Sequence, residues 1–179
     1  MFVFTACNKK GTTSEAESLS KTVNKSAPNN PPEILITAGH KEIPYVIGLN
    51  EWNGAKYDRE ATFQTIMKKD SSIEIPYIPL DETIQIEFKG IVPDELQLRD
   101  YILKKDGTPK YTEKEVNEIP VKLVDGKMAF KLQEHMAAML SSNTKDYEPG
   151  NTIRGFTLTC KWGDNECEYG FIIKTDAKK

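Results

Sequence analysis

The chain has 179 residues, of which 38% are apolar and 28% charged, a composition that supports one domain with a real core and leaves little for a second. A net charge of −3, with lysines and arginines scattered along the chain, gives no basic field for holding phosphates and speaks against nucleic acid as a partner. No apolar run reaches the roughly 18 to 20 residues that a membrane-spanning helix needs.

The first seven residues, MFVFTAC, look like the end of an apolar signal segment running into a cysteine. Phe4, Thr5, Ala6 and Cys7 resemble a bacterial lipobox, which implies lipidation of Cys7 as the mature N-terminus. Asn8 to Pro32 carries four lysines, two glutamates, seven hydroxyl side chains and no aromatic residue. Such a stretch buries too little to offset its ordering entropy, so a disordered tether spanning roughly 25–30 Å as a coil is predicted. Lys9 and Lys10 suit an anionic lipid surface. Four lysines less two glutamates give the tether +2, which leaves −5 of the total −3 for the remainder. The predicted place is the outer face of a bacterial membrane, reached through the lipid anchor.

The apolar pattern begins at residue 33. Glu33 to Ala38 is a predicted strand, and Ile43 to Leu49 a second extended piece in which Pro44 marks an edge or a bend. Asn50 to Tyr57 is predicted as a turn-rich loop carrying Trp52, followed by a brief helix capped by Asp58 with Phe63, Ile66 and Met67 on one side. Ile75, Tyr77 and Leu80 fall in a proline-punctuated edge segment, whereas Glu82 to Lys89 alternates cleanly, with Ile84, Ile86 and Phe88 on one face. Glu95 to Leu103 changes phase between Leu98 and Tyr101, which predicts an irregularity near Asp100. Lys104 to Glu118 is a predicted loop with a turn at Asp106 and Gly107. Val121 to Leu132 suggests a hairpin about Asp125 and Gly126, and Glu134 to Leu140 a helical turn or two packing Met136, Met139 and Leu140 on the core. Ser141 to Asn151 is a polar loop.

The strongest pattern closes the chain. Phe156, Leu158, Cys160 and Trp162 alternate with Thr157, Thr159 and Lys161, and beyond a turn at Gly163 and Asp164, Cys167, Tyr169, Phe171 and Ile173 alternate with Glu168, Gly170 and Ile172. One register places Cys160 opposite Cys167, Leu158 opposite Tyr169 and Phe156 opposite Phe171, all on one face. Of three cysteines, Cys7 is set apart for lipid, so a disulfide between Cys160 and Cys167 is expected. No zinc-site spacing is present, and no metal or cofactor is predicted.

Short strands, frequent turn signals and only scraps of helix predict an all-β fold, an antiparallel immunoglobulin-like β-sandwich over residues 33–176 with one or two short helices. The lipobox-like cysteine, the Ser/Lys/Asn tether, the Trp-bearing loop and the terminal hairpin xFxLxCxWGxNECEYxFxI resemble small bacterial lipoproteins with Ig-like domains. That group is of uncharacterised function, so the resemblance implies a fold and a location and carries no catalytic residues.

Sites are sparse. His40 and His135 fit solvated or capping roles, and the carboxylates of Asp164, Glu166 and Glu168, with Asp146 and Glu148, lack the loop pattern of a calcium site. Trp52 and Trp162 are the candidate binding residues, since a Trp at a loop offers a large rigid anchor, although Trp162 in phase with Leu158 fits a core position equally well. With no nucleophile, metal or phosphate motif, the sequence favours a tethered binding module for an unidentified protein, peptide or envelope ligand. An Ig-like protease inhibitor and a carboxylate-dependent enzyme are the alternatives.

Overall fold

The computed structural model describes residues 29–58, 61–68 and 72–179. Cys7 and residues 8–28 of the expected tether lie outside them. The described residues form ten strands: β1 Glu33–Ala38, β2 Lys41–Glu42, β3 Tyr45–Trp52, β4 Ala55–Tyr57, β5 Thr83–Lys89, β6 Glu95–Leu103, β7 Asn117–Ile119, β8 Lys127–Lys131, β9 Thr152–Trp162 and β10 Asn165–Thr175. They make two antiparallel sheets, a four-stranded one in the order β2-β1-β5-β8 and a six-stranded one in the order β4-β3-β10-β9-β6-β7. The fold is an all-β sandwich. Its core is the layer between the sheets, where Ile34, Ile36, Ile84 and Ile86 meet Leu98, Phe156, Leu158 and Tyr169.

The closing hairpin takes the expected register and is the centre of the larger sheet. Cys167 pairs with Cys160, Tyr169 with Leu158 and Phe171 with Phe156. Gly163, at φ 58°, supplies the positive dihedral that a two-residue turn needs. Phe156 and Phe171 stack at 4.8 Å with ring planes 10° apart.

The centre of the six-stranded sheet, along β9 and β10, is buried on both faces. A short helix, α1 (Thr62–Met67), lies across its outer face, where Phe63 and Ile66 join Tyr101, Leu103, Ile153 and Ile172 in a second apolar cluster. Glycines make the approach possible. A Cβ on Gly155 would come within 2.6 Å of Leu103 and 2.8 Å of Phe63, and one on Gly170 within 2.3 Å of Thr62. This second layer corrects the reading of β6. Its register with β9 is continuous from Glu95 to Leu103, and the phase change marks no irregularity: Leu98 faces the sandwich interior while Tyr101 and Leu103 face the helix. The helix itself starts later than predicted, after Ala61, with no side-chain cap from Asp58 or any other residue.

Three further expectations change. The loop after β3 is a hairpin turning on Asn53 and Gly54, at φ 52° and 79°, the Asn-Gly signature of a type I′ turn. Asp125 and Gly126 also turn with positive φ, but the arm before them makes only the isolated bridge from Val124 to Lys127, and β8 pairs with β5 instead. The segment Met136–Leu140 is a 3₁₀ helix whose buried side chains are Ala137 and Ala138. Met136 and Leu140 are 77% and 62% exposed, and Met139 is exposed as well. The small alanines pack against Ile102 and Ala177, and the large side chains point outward.

The packed unit begins slightly before the first strand. Pro32 is buried and its carbonyl accepts a 2.6 Å hydrogen bond from the hydroxyl of Tyr169, itself fully buried. A chain beginning at Glu33 is therefore expected to be about 1–3 kcal/mol less stable than one beginning at Asn29, because the hydroxyl loses its acceptor. Equal urea midpoints for the two would show that the contact contributes nothing.

Candidate functional site

A cleft of about 510 Å³ opens where β6 ends and β9 begins. Three segments build it: the turn after β6, the 3₁₀ helix Met136–Leu140 with the loop behind it, and the residues leading into β9. Ile102 and Ala138 pack together as an apolar floor that is almost fully buried, Ile153 adds apolar lining from the other face of the sheet, and Leu140 stands exposed at the rim. Lys104, Lys105 and Ser142 line it as well and are exposed.

One wall is polar and self-paired. Asp146 Oδ2 accepts from Lys110 Nζ and from Ser141 Oγ, each at 2.5 Å, and its Oδ1 accepts from Asn143 Nδ2 at 3.1 Å. Lys110 Nζ also donates to Ser141 Oγ at 2.9 Å. The hydrogen bonds from Lys110 and then Ser141 hold the Asp146 carboxyl below its ordinary range. For Lys110, burial favours the neutral amine but the Asp146 partner outweighs it, so its pKa is raised. A charged lysine and a weakly basic carboxylate leave Ser141 without a base, and the trio braces the loop; it does not make a nucleophile.

Beneath the cleft lies a fully buried ionic group. Asp100 on β6 holds Arg154 on β9 bidentately, Oδ1 accepting from Nε at 3.1 Å and Oδ2 from Nη2. Arg154 Nη1 donates to the Gln133 carbonyl at 2.5 Å. His135 completes the group. Its Nδ1 accepts from the amide of Ala137 at 3.1 Å, capping the 3₁₀ helix, which leaves Nε2 as the N–H facing the Asp100 carbonyl at 3.2 Å. Both nitrogens are committed to the neutral ring.

That neutrality has a pH signature. Burial holds the His135 imidazole below its ordinary pKa, helped by the Arg154 charge and opposed by Asp100. The unfolded chain therefore takes up a proton near pH 6.5 that the folded chain refuses. Stability is expected to be level above pH 6.5 and to fall below it by up to about 1.4 kcal/mol per pH unit, until the folded-state pKa is passed. His135→Ala should start less stable and lose the slope between pH 6.5 and 5, measured by urea unfolding. An unchanged slope in that variant would assign the acid sensitivity to other groups.

The structure brings the expected site residues together in pairs, away from this cleft. Trp52 and Trp162 meet edge to face at 5.2 Å, and Phe88 lies 6.2 Å from Trp162. Both indoles are buried in the main core, so neither is an exposed binding anchor; the apolar phase of Trp162 decides its place. Cys160 and Cys167 face each other as expected but are free, buried thiols, which corrects the predicted disulfide. Counting inward from the two-residue turn makes theirs a hydrogen-bonded pair, whose side chains stand farther apart than those of the alternate kind. Burial pushes the Cys167 thiol up to about 12 and raises Cys160 too, so neither is a nucleophile at neutral pH.

His40 and Asp164 are exposed in turns. Glu168 turns to the outer face, where Thr62 Oγ1 donates to it at 3.4 Å. Among the described residues, no three His, Cys, Asp or Glu side chains converge to hold a metal ion. The chain matches no family model, no curated protein and no solved structure. Its function is therefore argued from its own geometry.

Proposed function

We propose that this chain is a membrane-tethered, extracytoplasmic bacterial lipoprotein of the small Ig-like kind, acting as a binding module with the cleft as its ligand site. The single observation that carries the binding reading is the cleft itself, whose volume falls within the 300–1,000 Å³ common for small-ligand sites. An apolar floor and a rim of polar and charged groups are the composition such sites use.

Strand order supports the Ig-like reading. β1-β5-β8 against β6-β9-β10 corresponds to strands A-B-E against C-F-G of an immunoglobulin sandwich. Here β3 adds antiparallel to the outer edge of β10. Placement supports a tethered role. The chain enters beside Glu33, which pairs with Lys89, at the end where Asp94 Oδ2 accepts from the hairpin-turn amide of Gly163. The cleft lies at the opposite ends of β6 and β9, roughly 25 Å along the strands. A ligand site there is directed away from the chain's point of entry, open to molecules outside the membrane.

A small-molecule fraction from the envelope of the producing cells, added to the ¹⁵N-labelled full chain, tests the site. The expected result is saturable amide shifts concentrated in residues 102–111 and 138–153. Shifts centred on the hairpin turn, or none, would overturn the assignment of the cleft.

A further inference from the structure

The cleft carries an excess of positive charge on an acidic protein. Of the four charged side chains that line it, Lys110 and Asp146 neutralise each other at 2.5 Å. The remaining two are Lys104 and Lys105, adjacent and exposed; Lys104 acts on Asp106 and Lys105 on Asp146 only through space, and neither makes a close ion pair among the described residues. Asp106 of the same turn has its carboxylate held by the amide and hydroxyl of Thr108, at 2.9 and 2.7 Å. The oxygens of Asp146 are likewise committed to Lys110, Ser141 and Asn143. The whole chain bears −3, so two exposed ammonium groups free of close ion pairs, against one locally paired carboxylate in the lining, give the mouth of the cleft a net positive field that attracts anions.

The interior asks for something else. Ile102, Ile153 and Ala138 offer no hydrogen-bonding side chain, and Leu140, largely exposed, leaves apolar surface at the rim for a ligand to cover. A fully hydrated anion such as phosphate gains nothing from that floor, whereas an apolar body recovers about 25 cal/mol for each Å² it removes from water.

Resting on the reading of the cleft as the ligand site, we propose that it takes a small organic anion with an apolar body, a monocarboxylate. The head is received by Lys104 and Lys105, with the hydroxyl of Ser142 at the same rim. The aliphatic or aromatic body lies along Ile102, Ala138 and Leu140. The self-paired trio of Lys110, Asp146 and Ser141 forms the wall and contributes shape, not charge.

Titration of the ¹⁵N-labelled full chain with octanoate, octylammonium and acetate separates the two requirements. Octanoate is expected to shift the amides of residues 102–105 and 138–143 and to bind at least tenfold more tightly than either of the others. Lys104→Glu with Lys105→Glu, both exposed and so expected to leave the urea midpoint unchanged, should weaken octanoate at least tenfold. Equal binding of octanoate and octylammonium would overturn the role of the lysines, and equal binding of octanoate and acetate would overturn the apolar body. Failure of octanoate with cleft shifts still produced by the envelope fraction would remove the ligand class and keep the cleft as the site; failure of both would remove the site.

Discussion

Arg154→Ala is expected to cost the fold about 3–5 kcal/mol, because it leaves the carboxylate of Asp100 buried with no counter-charge. Both side chains are essentially inaccessible, and the guanidinium is the group that satisfies both Asp100 oxygens and the Gln133 carbonyl. At this chain length the loss corresponds to a fall in Tm of roughly 6–20 °C. A second variant separates loss of the pair from loss of volume. Replacing Arg154 by Met together with Asp100 by Leu removes both charges and should recover most of the stability, since a buried ion pair is often no better than well-packed apolar residues. A loss below 1 kcal/mol in Arg154→Ala would mean that water reaches Asp100.

Phe156→Ala is expected to be comparably damaging, at about 3–5 kcal/mol. Phe156 is fully buried at the middle of the sandwich, stacked on Phe171 and 5.7 Å from Phe130 across the sheets. No backbone shift brings two sheets together over a single missing ring, so the cavity term is added to the lost transfer energy. Phe156→Leu keeps most of the volume and should cost distinctly less. The Arg154 guanidinium lies 5.5 Å from the Phe156 ring centroid, so the two losses will not add. Equal costs for the Ala and Leu variants would show that the site collapses around the smaller side chain.

The closing hairpin was legible because two local signals agreed, the alternation of large apolar residues on both arms and the Gly163–Asp164 turn between them. The first strand and β5 were legible for the same reason, each having one clean apolar face. β6 was misread because alternation presumes one wet face, and nothing local announces that α1 covers the outer one. Glycines at Gly155 and Gly170, inside strands that otherwise carry large residues, were the available hint of that close approach. Met136, Met139 and Leu140 lie on the exposed side of their segment, and their spacing alone does not say whether such a face points inward or outward. The Asn53–Gly54 turn is a local signal, since the pair favours the positive φ angles that a type I′ turn needs. The cleft was beyond local reading, since its floor and rim come from segments some forty residues apart in the chain. Asp100 and Arg154, 54 residues apart, become neighbours only once the pairing of β6 with β9 is known.

The tethered role turns on Cys7. Cells expressing the native gene, alongside a Cys7→Ser variant, can be separated into membrane and soluble fractions, and the intact mass of the protein measured. The account predicts that the wild-type protein partitions with membrane, starts at Cys7 and carries lipid mass there, while the serine variant is released. Wild-type protein found free of membrane with an unmodified Cys7, or a serine variant that stays membrane-bound, would contradict it.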